Sequence, residues 1–180
     1  MSLRHAILGL LSIRPMSGYD LKKTIDESVG HFWTADQSQI YRTLTGLVDE
    51  GMASRETVVQ SGRPNQHVHG ATELGLAELD RWLASPMEPQ PTREPFLARL
   101  FFADRMPAHE IRKLLHARRH DVTLQLAALE MIAVPAAVPE NVTETEFVLR
   151  MATLANGIAH ARAELDWLES IERQLGELAS

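Results

Sequence analysis

Four prolines crowd into eleven residues, at positions 86, 89, 91 and 95 of the stretch SPMEPQPTREP. Each lacks an amide hydrogen and pushes the residue before it out of helical backbone, so no helix can run through the stretch. The chain is therefore expected to fold as two pieces, residues 1–85 and 96–180, joined by an extended connector over 86–95. With 180 residues in total, each piece has room for one small core. Cysteine is absent, which excludes disulfides, thiolate nucleophiles and cysteine-based zinc sites.

The first piece reads as three helices, two strands and a helix. Leu3 to Ile13 is apolar on most faces, as in a helix buried from several sides, and Pro15 closes it. The apolar run from Ala6 to Ile13 is too short for a signal peptide of the usual build and has no small-residue cleavage site behind it. Nothing approaches the roughly 20 apolar residues that span a bilayer, so a cytoplasmic protein without membrane contact is expected. Ser17, with Asp20 three residues on, forms a capping-box pattern that opens a second helix running to about Ser28. A third helix opens at Ala35-Asp36-Gln37-Ser38 and ends at Gly51, with Ile40, Leu44, Leu47 and Val48 on one face. Strand-like residues at Met52–Val59 and Gln66–Ala71 flank Ser61-Gly62-Arg63-Pro64-Asn65, a loop rich in turn formers, and so predict a hairpin. Thr72 caps a last helix to Leu83, with Leu76, Leu79 and Leu83 on its inner side.

Helix, helix, hairpin in this order is what a winged helix-turn-helix requires. At 100° per residue the third helix turns Ser38, Gln39, Arg42, Thr45 and Gly46 away from its apolar stripe. Glutamine and arginine can bond adenine and guanine edges in a major groove, and serine or threonine can reach phosphate or base. Tyr41 flanks that face and can donate its hydroxyl to a phosphate. Tyr19, Lys22 and Lys23 on the preceding helix and Arg63 at the hairpin tip would meet the flanking backbone. The candidate DNA-binding residues are thus Tyr19, Lys22, Ser38, Gln39, Tyr41, Arg42, Thr45 and Arg63. Overall charge points the other way. The chain carries a net charge of -6, and its first 85 residues have 8 basic against 10 acidic side chains. Phosphate neutralisation supplies most non-specific affinity, so local placement has to compensate.

The first piece resembles the PadR family of transcriptional regulators. The resemblance rests on Ser17-Gly18-Tyr19-Asp20-Leu21, Phe32-Trp33, Gln39-Ile40-Tyr41, Glu50-Gly51-Met52, Gly62-Arg63-Pro64, and Thr72-Glu73 followed by Gly75. These stand in the family's order and spacing across residues 3–84. It implies a mainly α fold with a small β-hairpin wing, in which the winged helix-turn-helix is followed by an antiparallel helical dimerisation domain. By the same token it implies a regulator, more specifically a repressor, that covers a palindromic stretch of double-stranded DNA until a small hydrophobic or aromatic effector alters the dimer. Family members usually place basic residues near Thr45 and Gly46 and a tyrosine near His69, so here Arg42 alone keeps the recognition helix basic. Modest, salt-sensitive affinity that depends on the dimer follows.

The second piece is helical throughout, with a short apolar helix at 96–103, a helix from Pro107 to about Ile132, and one from 143 to 178 of roughly 54 Å. Phe147, Met151, Leu154, Ile158, Ala161, Leu165 and Leu168 follow a 4,3 spacing, the seam of a helix that packs lengthwise on another. Part of it must pack within the chain. The rest predicts a homodimer interface formed by Phe147, Met151, Leu154, Ile158, Leu165 and Leu168.

Catalysis finds no supporting constellation. His109, His116 and His120 share one helical face, but it lies opposite Ile111, Leu115, Val122 and Leu129, which makes it a solvated face rather than a metal pocket. His67 and His69 share one side of a wing strand without carboxylate companions. No phosphate loop or nucleophile elbow occurs. Neither metal nor cofactor is expected. A helical interaction module that keeps the winged scaffold without binding DNA remains open as the alternative.

Overall fold

The computed structural model describes residues 3–26, 35–59, 65–87 and 93–178. Phe32, Trp33, Gly62, Arg63 and Pro64 lie outside these residues. The chain separates into two compact units, Met1–Pro89 and Gln90–Ser180.

In the first unit the order is α1 (Leu3–Ile13), β1 (Met16–Ser17), α2 (Gly18–Thr24), α3 (Gln37–Asp49), β2 (Ala53–Val58), β3 (Gln66–Ala71) and α4 (Glu73–Ala84). One core joins them. Ile7, Leu8 and Leu11 of α1, Leu21 and Ile25 around α2, and Ile40, Leu44 and Leu47 of α3 are all buried. Local chemistry sets each boundary. Ser17 and Asp20 form the expected capping box, with the Asp20 amide donating to Ser17 Oγ over 3.1 Å. Asp36 and Gln39 form a second one at the start of α3. Gly51 ends α3 at φ 71°, a left-handed conformation that favours glycine, and Met52 N donates to Leu47 O over 2.8 Å in a Schellman closure. Thr72 caps α4 by accepting from Gly75 N and ties it to the end of α3 by donating to Gly51 O.

The sheet is larger than the expected hairpin. β2 and β3 pair antiparallel, Ala53 with Ala71 through Val58 with Gln66, and β1 adds to the free edge of β3, Met16 with His69 and Ser17 with Val68. Two residues carry too little periodicity to read as a strand, so β1 could not be seen in sequence. Glycine at 75 has a packing reason. A Cβ there would sit 2.1 Å from the carbonyl oxygen of Met52 and 3.0 Å from Leu8, so α4 can lie on the wing base and α1 only without a side chain. The inner face of α4 is narrower than expected, since Leu79 is buried but Leu83 is exposed.

The second unit contains α5 (Pro95–Phe101), a single 3-10 turn (Ala103–Arg105), α6 (Ala108–Glu130) and α7 (Glu144–Leu178). Ion pairs Arg162–Glu130 and Arg119–Glu172 fix α6 and α7 as antiparallel neighbours. Leu115, Val122 and Leu129, seven residues apart, supply the buried stripe of α6, and Leu154, Ala161 and Leu168 supply that of α7. The expected dimer seam is therefore partly consumed inside the chain. Leu168 is 0% exposed and Leu154 7%, which makes both core residues of the single chain. Heptad spacing marks the face of a helix that is covered but carries no information on which chain covers it. Phe147, Met151, Ile158 and Leu165 are half-buried. Freely exposed apolar side chains of this unit lie elsewhere, among them Val148 and Leu149 (62% each), Phe101 and Phe102, and also Leu124 and Met131.

Candidate nucleic-acid interface

α3 presents two opposed faces. Ile40, Leu44 and Leu47 anchor one in the core, while Gln37, Ser38, Gln39, Tyr41, Arg42 and Thr45 are exposed on the other. Such anchoring fixes the outer side chains at the backbone level, as a reading helix needs.

The polar groups on that face are not equally available. Ser38 Oγ donates to Asp36 Oδ1 over 2.7 Å, and Gln39 Oε1 accepts from the Asp36 amide over 3.1 Å. Both side chains are thereby drawn into the cap. The Asp36 carboxyl is held below its usual range, first by the Ser38 hydroxyl and then by the Gln39 amide, so the helix begins on a firmly ionised carboxylate. Thr45 Oγ1 donates to Tyr41 O over 3.0 Å, a back-bond to the preceding turn. Arg42 is the basic side chain of α3, and it stands exposed.

Tyr41 is positioned by an absence. Its ring lies against the backbone of Gly18 at the start of α2, where a Cβ would be 2.6 Å from Cε1 and 2.8 Å from Cζ. Gly18 thus lets α2 and α3 approach closely enough to hold the phenol in place while leaving it 45% exposed. Sequence reading valued Gly18 only as part of a motif, and its contact with Tyr41 is a product of the fold. On α2, Tyr19 is 66% exposed and Lys22 is paired with Asp26 one turn on. Arg63 lies outside the described residues.

The wing is braced at its base. Arg55 and Thr57 of β2 both bond the His67 ring on β3, and His69, two residues on, is buried at 7% exposure where β1 covers the strand. Burial lowers the basicity of His69, Arg55 nearby does the same, and a backbone hydrogen bond to Met16 opposes them. Its Nδ1 is buried with no hydrogen-bond partner among the described residues. Behind α3, Arg4 of α1 pairs bidentately with Glu50, and His5 stacks on Trp82 at 4.8 Å while bonding Glu78. The first tie fastens the C-terminal end of α3 to α1, and the other two fasten α4 to α1.

Among the described residues no group of three or more metal-ligating side chains comes together, and no helix is long and apolar enough to cross a membrane.

Comparison with known proteins agrees with this geometry. Residues 7–81 match the transcriptional regulator PadR-like family, and residues 92–176 match the virulence activator alpha C-terminal family. The probable transcriptional regulator Rv1176c of Mycobacterium tuberculosis is 45% identical over 89 residues, covering 49% of this chain and about half (47%) of that protein. The negative transcriptional regulator PadR of Bacillus subtilis is 28% identical over 94% of each chain. Its crystal structure with operator DNA superposes with a TM-score of 0.81 at 26% identity, over 96% of this chain and 98% of that one. With p-coumaric acid the TM-score is 0.74 at 26% identity, over 97% and 98%. The Vibrio cholerae virulence activator AphA gives 0.75 at 26% identity, over 98% and 99%. Residues 7–81 belong to the PadR-like family of transcriptional regulators, and the chain as a whole is similar to solved regulators of that family.

Proposed function

We propose that this protein is a cytoplasmic, effector-responsive repressor that binds a two-fold operator as a homodimer, with no catalytic activity of its own. The observation that carries the reading is α3, a helix buried on one side and presenting Tyr41 and Arg42 on the other, in a chain similar over nearly its whole length to a regulator solved on operator DNA. In this reading α3 enters the major groove, Arg42 reaches a guanine edge or phosphate, and Tyr41 donates to a phosphate oxygen. Tyr19 and Lys22 meet the backbone on one side and the β2–β3 hairpin, with Arg63, on the other. Residues 1–85 form the DNA-binding domain and 96–180 the dimerisation domain, joined by 86–95.

The dimer is supported by α5. None of its residues is buried within the chain, and Phe101 is 80% exposed, an apolar surface that a soluble helix covers with a partner. Val148 and Leu149 extend that requirement to the first half of α7. Charged substitutions at Leu154 would injure the monomer core. The double change Val148→Glu with Leu149→Glu instead tests dimerisation with the α6–α7 pair intact, and should yield a folded monomer that has lost operator affinity.

A second reading, a winged scaffold kept for protein contacts, is favoured by the Asp36 carboxylate, which holds the Ser38 hydroxyl, and by the Gln39 side chain being tied to the Asp36 amide. A mobility-shift assay at low salt on DNA from upstream of the gene separates the two. Sequence-preferring retention that is lost in the Tyr41→Ala, Arg42→Ala double variant supports the regulator. Absence of sequence preference, or retention unchanged by the double variant, refutes it.

A further inference from the structure

α3 carries three aliphatic hydroxyls, and each has already placed its proton. Ser38 Oγ donates to Asp36 Oδ1 over 2.7 Å, Thr43 Oγ1 to Gln39 O over 2.8 Å, and Thr45 Oγ1 to Tyr41 O over 3.0 Å. A hydroxyl has one proton and two lone pairs, so once the proton is spent inside the helix only acceptor capacity faces outward. Thr43 is half-buried, whereas Ser38 and Thr45 are exposed on the face opposite Ile40, Leu44 and Leu47. Both of their bonds are local. The one at Thr45 follows from helical geometry, which brings a threonine hydroxyl to the carbonyl one turn back. The one at Ser38 ends on a carboxylate, which strengthens it by charge.

This polarity decides what the two side chains can read. Phosphate oxygens accept, so neither hydroxyl can bond one without giving up its internal bond. At Ser38 the Asp36 carboxylate would also stand beside the phosphate as a like charge. In the major groove the donors are the exocyclic amines, adenine N6 and cytosine N4, while guanine and thymine present acceptors. Ser38 and Thr45 lie seven residues apart, which is two turns along one face and about 10 Å along the axis. That length covers about three base steps of about 3.4 Å, with Arg42, one turn from each, as a donor between two acceptors.

From this arrangement we infer that Ser38 and Thr45 are specificity-determining residues that read the amino groups of bases, and that Asp36, by taking the Ser38 proton, sets the first of them as an acceptor. The half-site then places adenine or cytosine at Ser38 and at Thr45, about three base pairs apart. Asp36 acts through Ser38 and is a positioning residue. The inference rests on the operator-binding reading proposed above and deepens it by assigning part of its sequence preference.

The test uses the full-length protein. Wild type, Ser38→Ala, Thr45→Val, Asp36→Gly and Asp36→Asn each select from randomised duplex DNA at one salt concentration, and fluorescence anisotropy then measures the selected site and its single-base variants. Wild type should lose about tenfold when the amino-bearing base at either position is exchanged for guanine or thymine, within the usual cost of one mismatched pair. Ser38→Ala should abolish that discrimination at one position and Thr45→Val at the other, each leaving the rest of the motif as it was. Asp36→Gly keeps a residue that suits the N-cap but frees the Ser38 proton, so discrimination should fall at the Ser38 position alone. Asp36→Asn still offers Ser38 an acceptor oxygen and should retain it. All three positions are exposed, so the core is untouched, and far-ultraviolet dichroism verifies the fold. Uniform weakening on every sequence by Ser38→Ala or Thr45→Val, the mark of a phosphate contact, overturns the inference, as does discrimination unchanged by both or by Asp36→Gly. A wild type with no sequence preference overturns the operator reading and this inference together, a result distinct from a sharp motif that these residues do not influence.

Discussion

Gly18→Ala is a change in one helix whose effect should be felt by another. The new Cβ would lie 2.6 Å from Tyr41 Cε1, while carbon atoms rest at about 3.5–4.0 Å, so the ring must withdraw by roughly 1 Å. What must yield is the outer end of a half-exposed side chain. Gly18 has no positive φ, so alanine suits its backbone, and fold stability should change by less than about 1 kcal/mol. An O–H···O bond tolerates only about 2.5–3.0 Å, so a shift of that size removes a Tyr41–phosphate bond. A bond to a charged acceptor contributes about 1.5 kcal/mol at the lower end, or roughly tenfold in affinity. The assay is fluorescence anisotropy on an operator fragment at fixed salt, with wild type, Gly18→Ala, Tyr41→Phe and the double variant forming a cycle. Each single variant should lose about tenfold, and the double variant should be no worse than either. The salt slope should stay unchanged, because no counterion is released through a tyrosine, whereas Arg42→Ala should lower it by about 0.9. Wild-type affinity in Gly18→Ala, or losses that multiply in the double variant, would refute the positioning of Tyr41 by Gly18.

Gly75→Ala meets backbone rather than a movable ring and should destabilise the first unit by about 1–3 kcal/mol, read from the urea midpoint, despite its better helix propensity. Leu168→Ala opens a cavity in the α6–α7 core and should cost about 2–5 kcal/mol in the second unit while leaving the unfolding of the first unchanged. His69 titrates below its ordinary 6.5 when folded, so the unfolded chain takes up the proton first as pH falls. Its contribution is fully present above about pH 6.5 and is lost below it, and His69→Phe should flatten that part of a urea-midpoint profile between pH 8 and 5. Asp36, Glu50 and Glu78 also have lowered values, but they act below the ordinary carboxylate range and leave this window clear.

The sequence by itself determined the caps at Ser17 and Thr72, the Gly51 stop, and which face of α3 is buried. Those features depend on residues a few positions apart, where helical periodicity and capping chemistry act directly. Only the tertiary structure decided what is joined from afar. It paired β1 with β3 across about fifty residues, set Tyr41 on Gly18, spent Ser38 and Gln39 in the α3 cap, and buried Leu154 and Leu168 within the single chain. A repeat of apolar residues shows that a face must be covered, and a polar one shows that a face can be read. Which chain does the covering, and which side chains remain at liberty to read, depends on contacts between distant segments that local pattern does not encode.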